Sequence, residues 1–480
     1  MRHLTGLDAS FLHLESVKAP MHIESVYLFD ASEREAPLTF STFVAYLQSR
    51  LHAVPVFRQR LKEVPLRLGR PYWIDDPDFN IERHLSYISL SENGTEASLM
   101  DLASKILEEP LERGRPLWHI TFVDGFRLDG ENGDDEESHE GFALIVKLHH
   151  AAIDAFSGEE IISKLLEYTP EPQPIRPPRP WQSRPEPSEE QVLIRAGANI
   201  LRNPWRIVSL AASAAETRAR ELIQKQLLKI PLFSTPHSPF NRRITANRQI
   251  LSASIQLSRL KAIRAMLGDV TLNDVVLGLC AETLQRYLHG QKERTNQPLV
   301  ALIPISVRSN TLRRTTGNQI SAMLLDLATN EPDPALRIHK IHGNAVTSKP
   351  YRDAIAAARL TELLPSGMLA LSARLYSELQ ITQRHWPVFN LPIINVPGPQ
   401  VPLYLQGAKL IHQYNAAPLS EGMGLVIVAM SYQGSLTLNF TICPDVVAQG
   451  NRLRNHVTES LEAIEKAASA QNRLKGRFMR

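Results

Sequence analysis

His149 and His150, followed by Asp154, close the apolar run Phe142-Ala143-Leu144-Ile145-Val146-Lys147-Leu148 and precede Phe156-Ser157-Gly158-Glu159-Glu160-Ile161-Ile162. That context predicts a buried strand ending in an imidazole, a tight turn bearing a carboxylate, and then a helix. Neighbouring residues on a strand point to opposite faces, so the two histidines cannot share one job. One should face a site while the other faces packing or solvent. A histidine at a strand end beside a buried carboxylate suits a general base, because its pKa is near neutrality. A structural histidine cluster is the plainer alternative. A metal site fails on geometry, since adjacent strand histidines diverge and no third ligand stands at ligand spacing. No metal is expected.

The elements that must position these residues are legible in outline. Asp129 to Glu140 is an acidic, glycine-containing run that predicts a solvated loop between two strands. Thr169 to Pro187 is proline-rich and predicts an extended, semi-rigid linker. From Gln191 to Lys229 the pattern is helical, with Val192, Leu201 and Leu222 set among Arg195, Arg202, Arg206 and Lys229. A basic amphipathic helix can lie on an anionic lipid surface; a connecting helix packed on its neighbours explains the same pattern, and Pro204 would break it. Beyond Asn241 helices alternate with strands, among them Leu299–Pro304, Gly424–Met430 and Ser435–Thr441. The economical architecture is mixed α/β: an N-terminal domain over 1–168, a linker and connecting helix over 169–240, and a second domain over 241–480.

Bulk properties agree. A chain of 480 residues suggests two domains of roughly 200 residues each. A net charge of +3 argues against a dedicated nucleic-acid binder. Cys280 and Cys443 stand in apolar contexts, which disfavours disulfides and cysteine-based zinc sites and fits a reducing, cytoplasmic setting. The first residues lack the apolar core of a signal peptide, and no stretch reaches the ~20 apolar residues that span a bilayer. Any membrane contact is expected to be peripheral.

The chain resembles the bacterial wax ester synthase/diacylglycerol acyltransferase family. The resemblance is carried by Leu7-Asp8, Phe11, Glu15 and Pro20-Met21-His22, then by Phe57-Arg58-Gln59-Arg60-Leu61, Trp73 and Pro116-Leu117-Trp118. The two histidines, three variable residues and aspartate at His149–Asp154 follow. Asn273-Asp274, Pro304-Ile305-Ser306-Val307-Arg308, Gly317-Asn318 and Asn395-Val396-Pro397-Gly398-Pro399 complete it. No single motif would suffice; their order and spacing make the match specific.

The resemblance implies an α/β (α+β) fold of two chloramphenicol-acetyltransferase-like domains with an active-site tunnel at their interface. It implies fatty acyl-CoA as donor and a long-chain alcohol or diacylglycerol as acceptor, with no cofactor, and peripheral contact with the inner membrane or lipid inclusions. His150 would be the catalytic base, with His149, Asp154 and Asn273 in support. Asp154 would form a structural ion pair, Arg308 being the candidate partner. Pro116, Leu117 and Trp118 would pack, or line the tunnel, while Arg308 and Asn318 would shape the domain interface. Thr271 with Asp274 also reads as a helix capping box; otherwise Asn273 would donate near the oxyanion or orient His150. No Gly-x-Ser-x-Gly elbow occurs, consistent with direct transfer.

Where the family has glycine after the aspartate, this chain has Ala155. If φ there is positive, the extra Cβ costs on the order of 1 kcal/mol. Two other functions keep the fold: transfer from a carrier-protein donor or to another acceptor, and a non-catalytic lipid-surface homologue.

Overall fold

A computed structural model describes residues 2–32, 34, 38–65, 69–128, 139–153, 164–171, 181–201, 235–291, 297–306, 320–347 and 387–478. They fall into two compact units. The first holds the described residues up to Leu201 together with 401–413; the second holds those from Thr235 to Gln400 and from Tyr414 onward.

The strands before the linker are β1 (Arg2–His3), β2 (His22–Asp30), β3 (Gln59–Lys62), β4 (Tyr72–Asp75), β5 (Leu85–Gly94), β6 (Trp118–Leu128) and β7 (His139–His149). Those after it are β8 (Gln249–Gln256), β9 (Val300–Ser306), β10 (Ile320–Asp326), β11 (Leu391–Pro397), β12 (Tyr404–Leu405), β13 (Ala408–Ala416), β14 (Leu425–Tyr432) and β15 (Ser435–Ile442). The N-terminal sheet runs β12-β13-β2-β7-β6-β5, beside a small β1-β4-β3 sheet, and the C-terminal sheet runs β10-β9-β11-β14-β15-β8. The linear division at 240/241 has no counterpart for β12 and β13, which come late in the chain and complete the first sheet.

In the N-terminal unit β7 is a central strand, antiparallel to both β2 and β6. Every residue from Gly141 to His149 is buried, as the near-continuous apolar run requires of a strand covered on both faces. On one face Phe142 stacks between Phe29 and Phe122, with centroids 4.9 and 5.2 Å away. The helices α1 (Gly6–Leu14), α2 (Phe40–Arg50), α3 (Glu96–Glu108) and α4 (His150–Ile153) belong to this unit; α2 packs on the phenylalanine face, where Phe43 meets Phe122 at 5.6 Å, and α3 packs on β2 and β5 from the other. Thr95 caps α3 by accepting from Ser98 N–H, and Leu99, Met100, Ala103, Ile106 and Leu107 form its buried stripe.

The face opposite the phenylalanine stack carries polar groups at every second position. His22 and Glu24 on β2 lie opposite His149 and Lys147 on β7, and Lys147 lies opposite His119 on β6. Lys147 Nζ donates to the carbonyls of Ile106 (2.6 Å) and Glu109 (2.8 Å), at the C-terminal end of α3 where a cation is favoured. Burial pushes the Glu24 carboxyl well above its ordinary range, against the pull of Lys147.

β7 begins at His139, so the acidic loop ends two residues sooner than Glu140. Pairing of Leu128 with His139 and Arg127 with Glu140 extends the hairpin arms. Its remaining residues, 129–138, lie outside the described residues. Of the linker, Trp181 to Pro187 has neither helix nor strand and is tied to the small sheet: Glu186 accepts from Arg60 (2.8 Å) and Lys62 (2.7 Å). The Arg58 guanidinium lies over Trp181, 4.7 Å from the ring centroid. The following segment is helical over Glu189–Leu201, with Val192 buried against Val64, Tyr72 and Ile74. The basic residues from Arg202 to Lys229 lie outside the described residues.

The C-terminal unit stacks the Leu257–Leu267, Leu272–Gly290, Pro334–Thr347 and Asn451–Phe478 helices around its sheet. The Leu272–Gly290 helix is buried along most of its length. The expected strands appear as β9, β14 and β15, slightly shifted at their ends.

Candidate active site

β7 ends at His149, and α4 starts at His150. The divergence of the two imidazoles therefore comes from a strand–helix junction rather than from strand alternation. His149 N–H donates to Leu117 O (3.0 Å), the last rung beside β6; His150 N–H donates to Met21 O (2.8 Å), just before β2. The chain is pinned on both sides where the two rings part.

The His150 ring stacks on Phe11 of α1, centroids 3.8 Å apart and planes 23° apart. The residue's own backbone carbonyl lies near enough to the ring to favour a proton there. Burial lowers the His150 pKa to about 4, its own carbonyl opposing and the neighbouring His149 assisting. The free protein thus holds this imidazole neutral at physiological pH.

His149 is 1% exposed and looks the other way. Its Nδ1 accepts from Ala151 N–H (3.0 Å), and its Nε2 is 3.4 Å from Glu15 Oε1. His22, its cross-strand partner, meets it edge-on at 5.8 Å and lies 3.6 Å from the same Glu15 oxygen. His22 Nε2 also accepts from Leu111 N–H (3.3 Å). Burial, then His149 and Lys147, hold His22 at about 3. Glu15 is the C-cap residue of α1, its N–H bonded to Phe11 O. Arg113 Nε donates to Glu15 Oε2 (2.7 Å), and Arg113 Nη2 reaches the same oxygen and Leu12 O. Burial alone would raise the Glu15 carboxyl, but His149 and Arg113 together outweigh it and bring it to about 2.

Of the expected site residues, His149 and His150 come together here. Asp154, Ala155, Arg308 and Asn318 lie outside the described residues. Asn273 belongs to the C-terminal unit, where its Oδ1 accepts from Asn395 Nδ2 (2.9 Å). Beside it Thr271 and Asp274 form a reciprocal capping box, and Asp274 Oδ2 also meets His342 Nδ1 at 2.8 Å. Pro116-Leu117-Trp118 serves packing: Leu117 and Trp118 are buried, and the indole lies between Phe57 (4.4 Å) and His84 (4.6 Å) while donating to Phe57 O (2.8 Å). Among the described residues no cluster of three His, Cys, Asp or Glu side chains could hold a metal ion.

Glu15, Phe11, Met21 and His22 surround the histidine pair although none was read as a site residue. The available signal was the period-two placement of His22 and Glu24 in an apolar strand matching that of Lys147 and His149.

Residues 4–276 match the wax ester synthase/diacylglycerol acyltransferase catalytic domain, and residues 316–465 match the WS/DGAT C-terminal domain. The chain belongs to the wax ester synthase/diacylglycerol acyltransferase family. It is 32% identical over 471 residues to a protein named probable diacylglycerol O-acyltransferase from Mycobacterium tuberculosis, covering 96% of this chain and 98% of the relative. The structure of a wax ester synthase/diacylglycerol acyltransferase from Marinobacter aquaeolei VT8 matches with a TM-score of 0.69 and 25% identity, over 97% of this chain and 100% of that one. The starter condensation domain of rhizomide synthetase shares the fold, with a TM-score of 0.54 and 13% identity over 98% of this chain and 94% of that one. The fold is thus that of the family, mixed α/β with a sheet in each unit, and the chain is an acyltransferase of the WS/DGAT type.

Proposed function

We propose that this chain moves a long-chain fatty acyl group from acyl-CoA to the hydroxyl of a fatty alcohol or diacylglycerol, with His150 as general base. The observation that carries the reading is the His150 imidazole just past the end of β7, stacked on Phe11 and kept neutral at physiological pH by burial. Nε2 takes the hydroxyl proton as the alcohol oxygen attacks the thioester carbonyl. The new C–O bond forms, the C–S bond breaks, and the imidazolium returns the proton to the departing sulfur. The products are the ester and free CoA thiol, without an acyl-enzyme. Substrates this apolar imply contact with a lipid surface; no helix among the described residues is long and apolar enough to cross a membrane.

The test is thiol release from palmitoyl-CoA by purified protein with hexadecanol and with dipalmitoylglycerol, the lipid products being identified. Ester formation with either acceptor supports the reading, and the preferred acceptor separates wax ester from triacylglycerol synthesis. Absence of release across a panel of chain lengths and alcohols would sink it and leave a non-catalytic homologue.

The pH profile provides a second prediction. A base must be unprotonated, and His150 in the free protein titrates at about 4 rather than near 6.5. Hence kcat/KM should be level through neutrality and fall only as pH drops through the range around 4, with enzyme stability checked at each pH. An acid limb centred near 6.5 would contradict this environment for the base.

A further inference from the structure

His149 is sealed on all sides, so its state is fixed by its neighbours. Ala151 N–H points at Nδ1 at 3.0 Å, which requires the lone pair there and places the ring proton on Nε2. No described residue meets Nε2 in hydrogen-bond geometry, so what that proton faces is Glu15 Oε1 at 3.4 Å. The Arg113 guanidinium holds the other oxygen of that carboxylate while also donating to Leu12 O in α1.

We propose that Glu15 is a positioning residue for acyl transfer. Its carboxylate, clamped by Arg113, sets the orientation and tautomer of His149, and the bond from Ala151 N–H to His149 Nδ1 sets the turn that carries His150. The arrangement is a carboxylate–imidazole pair applied to backbone: the carboxylate orients a ring that orients the base, as outer partners orient metal-binding histidines. Three features argue against mere filling. The carboxylate lies almost out of solvent, at 11% side-chain exposure, beside imidazoles that are themselves buried. Ala151 is the residue immediately after the proposed base. Glu15 also stands at the C-cap of α1, so its carboxylate projects from the end of the helix whose Phe11 supports the His150 ring. Were the pair lost, the ring proton of His149 could move to Nδ1 and oppose Ala151 N–H, loosening the junction.

This inference rests on His150 being the base, and the experiment separates the two. Thiol release is measured for the full-length wild type, His150→Ala, Glu15→Gln, His149→Asn and the Glu15→Gln/His149→Asn double variant, each with its thermal melt. Glutamine keeps the shape of Glu15 without its charge. Asparagine keeps an oxygen where Nδ1 accepts from Ala151 but removes the Nε2 contact, so it breaks the link even if Glu15→Gln fails to fold.

The expected result is that Glu15→Gln and His149→Asn each lower kcat by roughly ten- to a hundredfold with little change in KM. The double variant should match His149→Asn within about twofold, because both act through one contact. Wild-type kcat in the folded single variants, losses that only track the unfolded fraction, a change confined to KM, or additive losses in the double variant would each overturn the positioning role. If His150→Ala matches the wild type, the base assignment fails instead.

Discussion

Replacing His150 with alanine should lower thiol release by roughly 10²- to 10⁴-fold while leaving the protein folded. The magnitude is that of a lost proton transfer, since the variant keeps the rest of the chain that binds donor and acceptor. The junction itself is held by backbone bonds, His150 N–H to Met21 O and His149 N–H to Leu117 O, which alanine retains. Loss of the stack on Phe11 removes one ring contact at the edge of the core and should cost little stability. Because the proton moves only in the transition state, kcat and kcat/KM should fall together. Thiol release equal to that of the wild type would exclude His150 as the base.

The largest expected effect on stability belongs to Trp118. Its indole is 2% exposed, stacked between Phe57 and His84 with interplanar angles of 17° and 19°. Trp118→Ala should destabilise the protein by about 3–5 kcal/mol, the range for emptying a large aromatic site. Trp118→Phe keeps an aromatic surface but strands Phe57 O, which the indole N–H now satisfies, and should cost about 1–3 kcal/mol. Denaturant unfolding of the two variants checks the order. A Trp118→Ala protein that unfolds like the wild type would mean that the Pro116-Leu117-Trp118 segment is not a packing element.

Several features were readable because they are local. The Phe142–Leu148 run announced a strand buried on both faces. Thr271 and Asp274, three residues apart, announced the capping box that starts the Leu272–Gly290 helix. The adjacent histidines announced rings with different surroundings, although the expected cause, strand alternation, gives way to a helix that begins at His150. Lys147 was harder. It stands within an apolar run, yet it reaches across to the last carbonyls of α3 and needs a partner helix to make sense.

By itself, then, the sequence determined the strand before the histidine pair, the capping box at Thr271 and Asp274, the mixed α/β character and the family. These depend on spacing along a few residues, and hydrophobic period and capping chemistry write that spacing into the chain. Only the tertiary structure decided that Glu15, Arg113 and His22 enclose His149, that Phe11 backs His150, and that β12 and β13 complete the N-terminal sheet. A period of two tells which face a side chain takes but not which strand lies beside it. That choice comes from burying whole sheet faces at once, and here it sets a carboxylate at one end of α1 against an imidazole at the end of β7.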